Sequence, residues 1–387
     1  MSRTLFVIAG EPSGDKLGAA AMAALRAREP DIRFAGIGGP LMEAEGLTSL
    51  FPMSDLSVMG LAEVLPRLRH LFRRRDEAVT ALADLRPDGL LTIDSPDFCL
   101  RVAAKAKAAR PGLPVLHYVA PTVWVWRPGR ARKMARHVDH VLALFPFEPP
   151  YMEAAGMTCD FVGHPVVAER WPGTDEVAAF RESVSGEGPL ITVLPGSRRG
   201  EIERLAPIFG EALGRIPIAR YVVPAAGHVA GLVREAVADW SVDVTVLDPT
   251  GLAPEAAEHR KRSAMAAADA ALAASGTVAL ELAMAGTPFV SAYRMAPLSA
   301  FIIRRMVNVK SANLINILLD DAVVPEVLQE ACTPDRIVSA LTPLLGPAGD
   351  AQAARQAEAM ALLGLGGEHP GDRAAMSILN ALDRLSG

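Results

Sequence analysis

Short apolar runs and amphipathic stretches alternate along the chain. Thr4–Ala9 (TLFVIA) is apolar and β-rich, the pattern of a strand buried on both faces of a parallel sheet. Asp15–Arg28 then places Leu17, Ala21, Ala24 and Leu25 on one helical face. Gly89–Ile93, Pro114–Tyr118 and His137–Leu144 predict further strands, separated by helical stretches such as Asp97–Ala109. Residues 170–189, rich in Gly, Pro, Ser and charge, read as an interdomain linker with one short helix. Beyond it the alternation restarts. Leu190–Leu194, Ala219–Val223, Val242–Leu247, Ala268–Ala273 and Pro288–Ala292 predict strands, and Glu201–Arg215 a helix. Strands spaced by helices build parallel sheets covered on both faces. The expected fold class is α/β, with two doubly wound Rossmann-like domains facing a central cleft. Their expected bounds are 1–168 and 169–345, followed by a helical tail over 346–387. Ligands of such folds bind at the carboxyl ends of strands, so the loops that follow strands hold the candidate chemistry.

Composition narrows the classes. Half the residues are hydrophobic and 21% are charged, which supports buried cores and excludes wholesale disorder. The net charge of −5 argues against a general nucleic-acid binder. Cys99, Cys159 and Cys332 form no CxxC pair and no zinc spacing, so a reducing compartment is the simplest reading. The longest stretch without Asp, Glu, Lys or Arg, Pro111–Trp126, carries three prolines and is too short to span a bilayer. A cytoplasmic protein follows, with any membrane contact peripheral. The chain contains no Asp-x-Asp, and no catalytic metal is expected.

Five segments carry candidate chemistry. Gly10-Glu11-Pro12-Ser13-Gly14-Asp15 follows the first strand and opens the first helix, which suits a polar or anionic ligand. It equally suits a tight turn with Ser13 or Asp15 as N-cap. It is neither GxGxxG nor a P-loop, since Leu17 follows Lys16. At Ile93-Asp94-Ser95-Pro96-Asp97, Asp97 is expected to cap the next helix. Asp94 is left at the strand tip, either as a general base or as a turn brace. In Pro195–Arg199, Gly196 and Ser197 offer backbone N–H groups at a helix start and Arg198 adds a planar fork of donors, together a diphosphate cradle. Ser275-Gly276-Thr277 opens another helix, and Glu281 one turn on can accept from ribose hydroxyls or face solvent. In Val58–Leu85 the apolar Met59, Leu61, Val64, Leu65, Leu68, Leu71 and Phe72 alternate with Arg67, Arg69, Arg73, Arg74 and Arg75. That pattern fits a core helix with a wet face, or a segment lying on an anionic membrane. Tyr118–Trp126 can wall a pocket or pin a loop, and His117 and His164 near strand ends are more often structural than catalytic.

The ordered set GEPSGD, SVMGLAEVLPRL, IDSPDF, HYVAPTVWVW, FPFEPPY, FVGHPV, LPGSRRGEI, ASGTVALELAMAGTPFVSAYR and SANLI resembles the lipid-A-disaccharide synthase family from about residue 4 to 345. The resemblance implies a GT-B glycosyltransferase of the Gram-negative envelope, independent of metal and without a cofactor. It implies transfer from UDP-2,3-diacylglucosamine to 2,3-diacylglucosamine 1-phosphate, giving a β-1,6-linked disaccharide and UDP. By motif match Asp94 is the essential acid, Arg198 an essential residue of the nucleotide site, Asn313 a functional asparagine and Glu281 the ribose-binding acid. Glu11, Ser13, Gly14, Asp15, Gly196, Ser197, Ser275, Gly276 and Thr277 complete the expected substrate-binding set. Pro12 departs from the usual alanine and Phe145 from the usual leucine, and neither change removes a polar group. The resemblance favours the membrane and acyl reading of Val58–Leu85, with a peripheral position on the cytoplasmic face of the inner membrane. No nucleic acid is expected, and a homodimer stays open. Three alternatives stand beside it, of which a nicotinamide-dependent oxidoreductase would need the GxGxxG that the chain lacks. A UDP-N-acetylglucosamine 2-epimerase would share the fold and the ribose-binding glutamate, and a non-catalytic membrane-associated scaffold would need neither Asp94 nor Arg198.

Overall fold

All strand pairs among the described residues are parallel, because each connection carries the chain back to the same end of its sheet. The computed structural model describes residues 2–56, 61–123, 129–295 and 311–386, with backbone alone at 61–67 and 386. The chain divides into two units, one comprising residues 1–168 and 366–387 and the other residues 169–365.

The first unit holds β1 (Thr4–Ala9), β2 (Arg33–Ile37), β3 (Thr48–Ser49), β4 (Gly89–Ile93), β5 (Val115–Tyr118), β6 (His140–Ala143) and β7 (Thr158–Phe161) in the order β3-β2-β1-β4-β5-β6-β7. The second holds β8 (Leu190–Leu194), β9 (Arg220–Pro224), β10 (Val244–Leu247), β11 (Ala270–Ala274), β12 (Phe289–Tyr293) and β13 (Glu326–Leu328) in the order β10-β9-β8-β11-β12-β13. Central strands such as TLFVI and LITVL are apolar but for one threonine each because helices cover both faces, and their side chains are almost wholly buried. Each sheet reverses its winding once, at β1/β4 and at β8/β11.

The pattern expected from hydrophobicity and the structure agree on the central strands and differ at the edges. β2, β3, β7 and β13 are additional strands. β3, β7 and β13 are edge strands of two to four residues that mix polar with apolar positions, because an edge strand is covered less fully than a central one, whereas β2 lies between β3 and β1 and is masked in sequence by the exposed Arg33 and by Gly36. The first helix runs Pro12–Arg28, three residues earlier than the apolar pattern begins, with proline in its first turn. The residues expected as a tail part company. The helix Pro347–Leu362 lies in the second unit, where Gln352 accepts from Phe289 N–H at 2.5 Å. The helix Pro370–Ser386 belongs to the first, burying Ala374, Ile378 and Leu382 and pairing Asp372 with Arg28 at 2.6 Å.

His117 on β5 is fully buried. Its Nδ1 lies 2.8 Å from Thr92 Oγ1, and its Nε2 has no partner among the described residues. Burial, helped by the charge of Arg130, pushes its pKa down to about 4, and burial does the same to His164. An unfolded chain takes up these protons near pH 6.5, the folded chain only near 4. Between those values the unfolded state therefore binds more protons, and stability falls as pH falls. The melting temperature should drop from pH 7 to 4.5. Calorimetry of His117→Phe should show a shallower drop than the parent; an equal slope would remove His117 from the account.

Candidate functional site

In the first unit the two strands at the reversal end side by side, with Ala9 paired to Ile93, so the loops after β1 and β4 emerge together. They approach closely: a Cβ on Gly10 would lie 2.6 Å from Ser95 Oγ, so only glycine fits there. Asp94 and Ser95 both adopt left-handed backbone, φ 51° and 41°, which is costly for residues with a Cβ. The strained turn is held by Asp94 N–H donating to the Tyr118 carbonyl at 2.9 Å. It presents the Asp94 carboxylate, half-buried, to Ser13, whose Oγ is 3.4 Å from Oδ2. Among the described residues no cation pairs with Asp94. Glu11 sits beside it, accepting from Ser95 Oγ at 3.4 Å. Burial and the charge of Asp94 raise the Glu11 pKa above the ordinary value, partly offset by the Ser95 hydrogen bond. Glu11, Ser13, Asp94 and Ser95 thus form one cluster at the reversal.

Two expectations change here. Asp15 is buried and its carboxylate is fully engaged, accepting from the N–H groups of Gly39, Met42 and Leu41 at 2.9, 3.0 and 3.1 Å. It anchors the helix Pro40–Ala44 through both oxygens and is buried away from the surface that a ligand would meet. Gly14 is buried against Ala9 and Ile93, a close packing of helix on strand ends. Asp97 is not a cap: Ser95 is the N-cap residue of Pro96–Ala109, no side chain caps it, and Asp97 points outward toward Arg130 at 3.5 Å.

In the second unit the β8/β11 reversal opens a cavity of about 930 Å³ lined by Gly196, Ser197, Arg198, Ser275, Gly276, Thr277 and Glu281, seven residues from the expected set. Its geometry corrects the expected cradle. The Ser197 and Arg198 N–H groups do not face the cavity freely. Both donate to Glu201 Oε2, at 3.1 and 3.3 Å. Gly196, at φ 116°, allows this tight turn over the Glu201 side chain. What remains for an anion is the Arg198 side chain, 72% exposed and held by one contact to Glu201 at 3.2 Å. Glu281 Oε1 is 3.0 Å from Lys261 Nζ, which also meets Glu258 at 2.8 Å. Burial opposes the Lys261 charge, but the two carboxylates outweigh it and hold its pKa above the ordinary value. Asn313 lies outside this lining. It is buried, and its Oδ1 caps Leu314–Leu319 by accepting from Ile315 N–H at 2.9 Å. Ser275 Oγ donates to the Ala312 carbonyl at 3.2 Å, tying the loop before Asn313 to the cavity wall.

The arginine-rich segment forms the helix Leu61–Leu85. Met59 and the side chains of Leu61, Val64 and Leu65 lie outside the described residues, as do Trp124 and Trp126. The helix has two characters. Ala78 and Leu82 are buried in the core, whereas Leu68, Leu71 and Phe72 line a cavity of about 380 Å³ together with Leu56, Phe98, Glu11 and Ser95. Its arginines do not form one free face: Arg74 pairs with Asp55 and Glu77, each at 2.7 Å. No helix among the described residues is long and apolar enough to cross a membrane.

Sequence reasoning missed Glu201, Lys261 and Glu258. Glu201 carried a signal, since a glutamate three residues after a helix-starting residue is the capping-box spacing. Lys261 and Glu258 carried none; both sit on Pro254–Ala266, and Lys261 reaches Glu281 only through the fold.

The sequence profile described as lipid-A-disaccharide synthetase matches residues 5–367. A lipid-A-disaccharide synthase from Ruegeria pomeroyi is 54% identical, with 99% of this chain and 96% of that protein covered. Among solved structures, the calicheamicin glycosyltransferase CalG4 has a TM-score of 0.58 at 16% identity, covering 100% of both chains. A UDP-GlcNAc 2-epimerase from Neisseria meningitidis bound to UDP-GlcNAc has a TM-score of 0.58 at 12% identity, covering 98% of this chain and 99% of its own. At such identities the two structures share the fold alone, the GT-B class of paired Rossmann-like domains.

Glu201 and Arg198 should separate cleanly in stability. Glu201→Ala leaves two turn amides without an acceptor and should cost about 1–3 kcal/mol. Arg198→Ala removes an exposed pair and should cost no more than about 0.5 kcal/mol. Urea denaturation measures both; equal losses would make Arg198 a structural residue.

Proposed function

The chain belongs to the lipid-A-disaccharide synthase family and is a glycosyltransferase of lipid A synthesis, and from that premise we propose that it joins UDP-2,3-diacylglucosamine to 2,3-diacylglucosamine 1-phosphate. The single observation that carries the mechanism is Asp94: a half-buried carboxylate on a strained left-handed turn, unpaired by any described cation. Strain of that kind persists where surrounding structure enforces it, commonly for function. A β-linked product from an α-linked donor requires one displacement with inversion. In this reading Asp94 takes the proton of the acceptor 6-hydroxyl as its oxygen bonds to the anomeric carbon. The bond to the diphosphate breaks and its electron pair leaves with UDP.

The uridine diphosphate is assigned to the larger cavity. Glu281, oriented by Lys261, accepts from ribose hydroxyls, and Arg198 offers its fork to the diphosphate. Because the turn amides are engaged by Glu201, the positive charge met by the leaving group is that of the Arg198 side chain. Ser275, Gly276 and Thr277 supply the opposite wall. The apolar Leu68, Leu71 and Phe72 are assigned to acyl chains and to peripheral contact with an anionic membrane surface, on the cytoplasmic side of the inner membrane. Likeness to the epimerase is one of fold and does not compete with relatives at 54% identity.

Thin-layer assay of the purified protein with both acylated substrates should show disaccharide and UDP; no product would reject the assignment. Asp94→Asn keeps shape and hydrogen bonding but not basicity, so kcat should fall about 10²–10⁴-fold with the melting temperature unchanged. Near-parental turnover would remove the base role. Arg198→Ala should weaken UDP binding by roughly tenfold or more in calorimetry, with Arg198→Lys recovering only part, since the fork is lost. Unaltered UDP affinity would exclude the diphosphate contact.

A further inference from the structure

The smaller cavity of the first unit is not exhausted by an acyl-chain role. Its apolar wall is Leu68, Leu71, Phe72 and Phe98, and its rim carries two guanidinium groups, Arg75 and Arg101. Both lie against one ring, 4.9 Å and 5.9 Å from the centre of Phe72. Their situations differ. Arg75 is already engaged with Asp76, through Nε at 2.8 Å and Nη2 at 2.7 Å, and Asp76 also holds Lys105 at 2.6 Å. Arg101 meets no carboxylate among the described residues, and Asp97, an acid of the same lining, pairs instead with Arg130 at 3.5 Å. An apolar pocket with an unneutralised guanidinium stacked at its rim matches an amphiphile: a hydrocarbon tail with an anionic head. The five donors of the fork suit an oxyanion that can accept two parallel hydrogen bonds, as a phosphate does. The same cavity is lined by Glu11 and Ser95, the neighbours of Asp94.

We propose that this cavity is a site for a lipid phosphate monoester, with Arg101 as the phosphate ligand and Arg75 as a second positive charge. Resting on the function assigned above, the occupant is the acceptor, its acyl chain on Leu68, Leu71, Phe72 and Phe98 and its 1-phosphate on Arg101. The 1-phosphate and the 6-hydroxyl project from opposite sides of a pyranose. Holding the phosphate at the rim therefore leaves the 6-hydroxyl free for the carboxylate cluster. Arg101 thereby selects a phosphorylated acceptor over an otherwise identical sugar.

The test compares parent, Arg101→Ala and Arg101→Lys with two acceptors, 2,3-diacylglucosamine with and without the 1-phosphate. Arg101→Ala should raise KM for the phosphorylated acceptor roughly tenfold. It should leave the donor KM and the turnover of the unphosphorylated acceptor unchanged, and lysine should recover part of the loss. An equal effect on both acceptors, or none on either, overturns the site. A second arm needs no catalysis: calorimetric binding of monomeric dodecyl phosphate and dodecanol. The parent should prefer the phosphate and Arg101→Ala should lose that preference. If the preference is present but no disaccharide forms, the assigned reaction fails and the lipid-phosphate site stands; if disaccharide forms without the preference, the site fails alone. A third arm measures binding to phosphatidylglycerol and phosphatidylcholine vesicles. Loss of anionic-vesicle binding in Arg101→Ala with acceptor preference intact would assign Arg101 to the membrane surface and overturn the proposal.

Discussion

The geometry of both units follows from one constraint, the reversal of winding in a parallel sheet. Right-handed crossovers force the connections on either side of the reversal onto opposite faces. At β1/β4 and β8/β11, neighbouring strands therefore send their next segments apart, and a crevice opens where the strands stop. The register brings the two strand ends level, Ala9 beside Ile93 and Leu194 beside Ala273. Whatever polar residues follow those positions in sequence must converge. Glu11 with Asp94, and Arg198 with Thr277, are brought to common ground in this way despite separations of more than seventy residues.

The convergent polar groups divide by what holds them. Asp15, Glu201 and Glu326 are acids used as internal fasteners. Asp15 takes three amides, Glu201 two amides and one Arg198 nitrogen, and Glu326 the Ser311 hydroxyl and Ala312 N–H at 2.5 and 2.9 Å. A buried or half-buried carboxylate surrounded by donors is stabilised in place and rigidifies the loop it grips. Asp94 has no such set, with one hydroxyl at 3.4 Å and a carboxylate neighbour in Glu11. The fasteners fix the loops, and the groups left outside them are those available to a substrate.

The helix Leu61–Leu85 joins two roles that look exclusive in sequence. Its second half packs Ala78 and Leu82 into the core, which holds the element firmly. Its first half then presents Leu68, Leu71 and Phe72 at an open cavity with that rigidity behind them. Arginines on the same helix are sorted likewise, Arg74 bound by Asp55 and Glu77 and Arg75 laid against Phe72.

Sequence by itself determined the central strands, the α/β class, the restart of the pattern in the second half and the loops that carry chemistry. Fully covered strands are apolar at most positions, and glycine before a helix start is required by close approach, so both leave marks in composition. Family resemblance also marked Asp94, Arg198 and Glu281. Tertiary structure alone decided how each polar residue is used. Asp15 and Asp94 are both acids beside a strand end, yet one takes the amides of Gly39–Met42 and the other, among the described residues, takes a single side-chain hydroxyl, that of Ser13 at 3.4 Å. Lys261 found Glu281, and Arg101 found Phe72, across elements with no shared local pattern. Such pairings depend on distances set by packing between helices and strands far apart in the chain. Periodicity records which face of an element is buried, but not which partner it will meet.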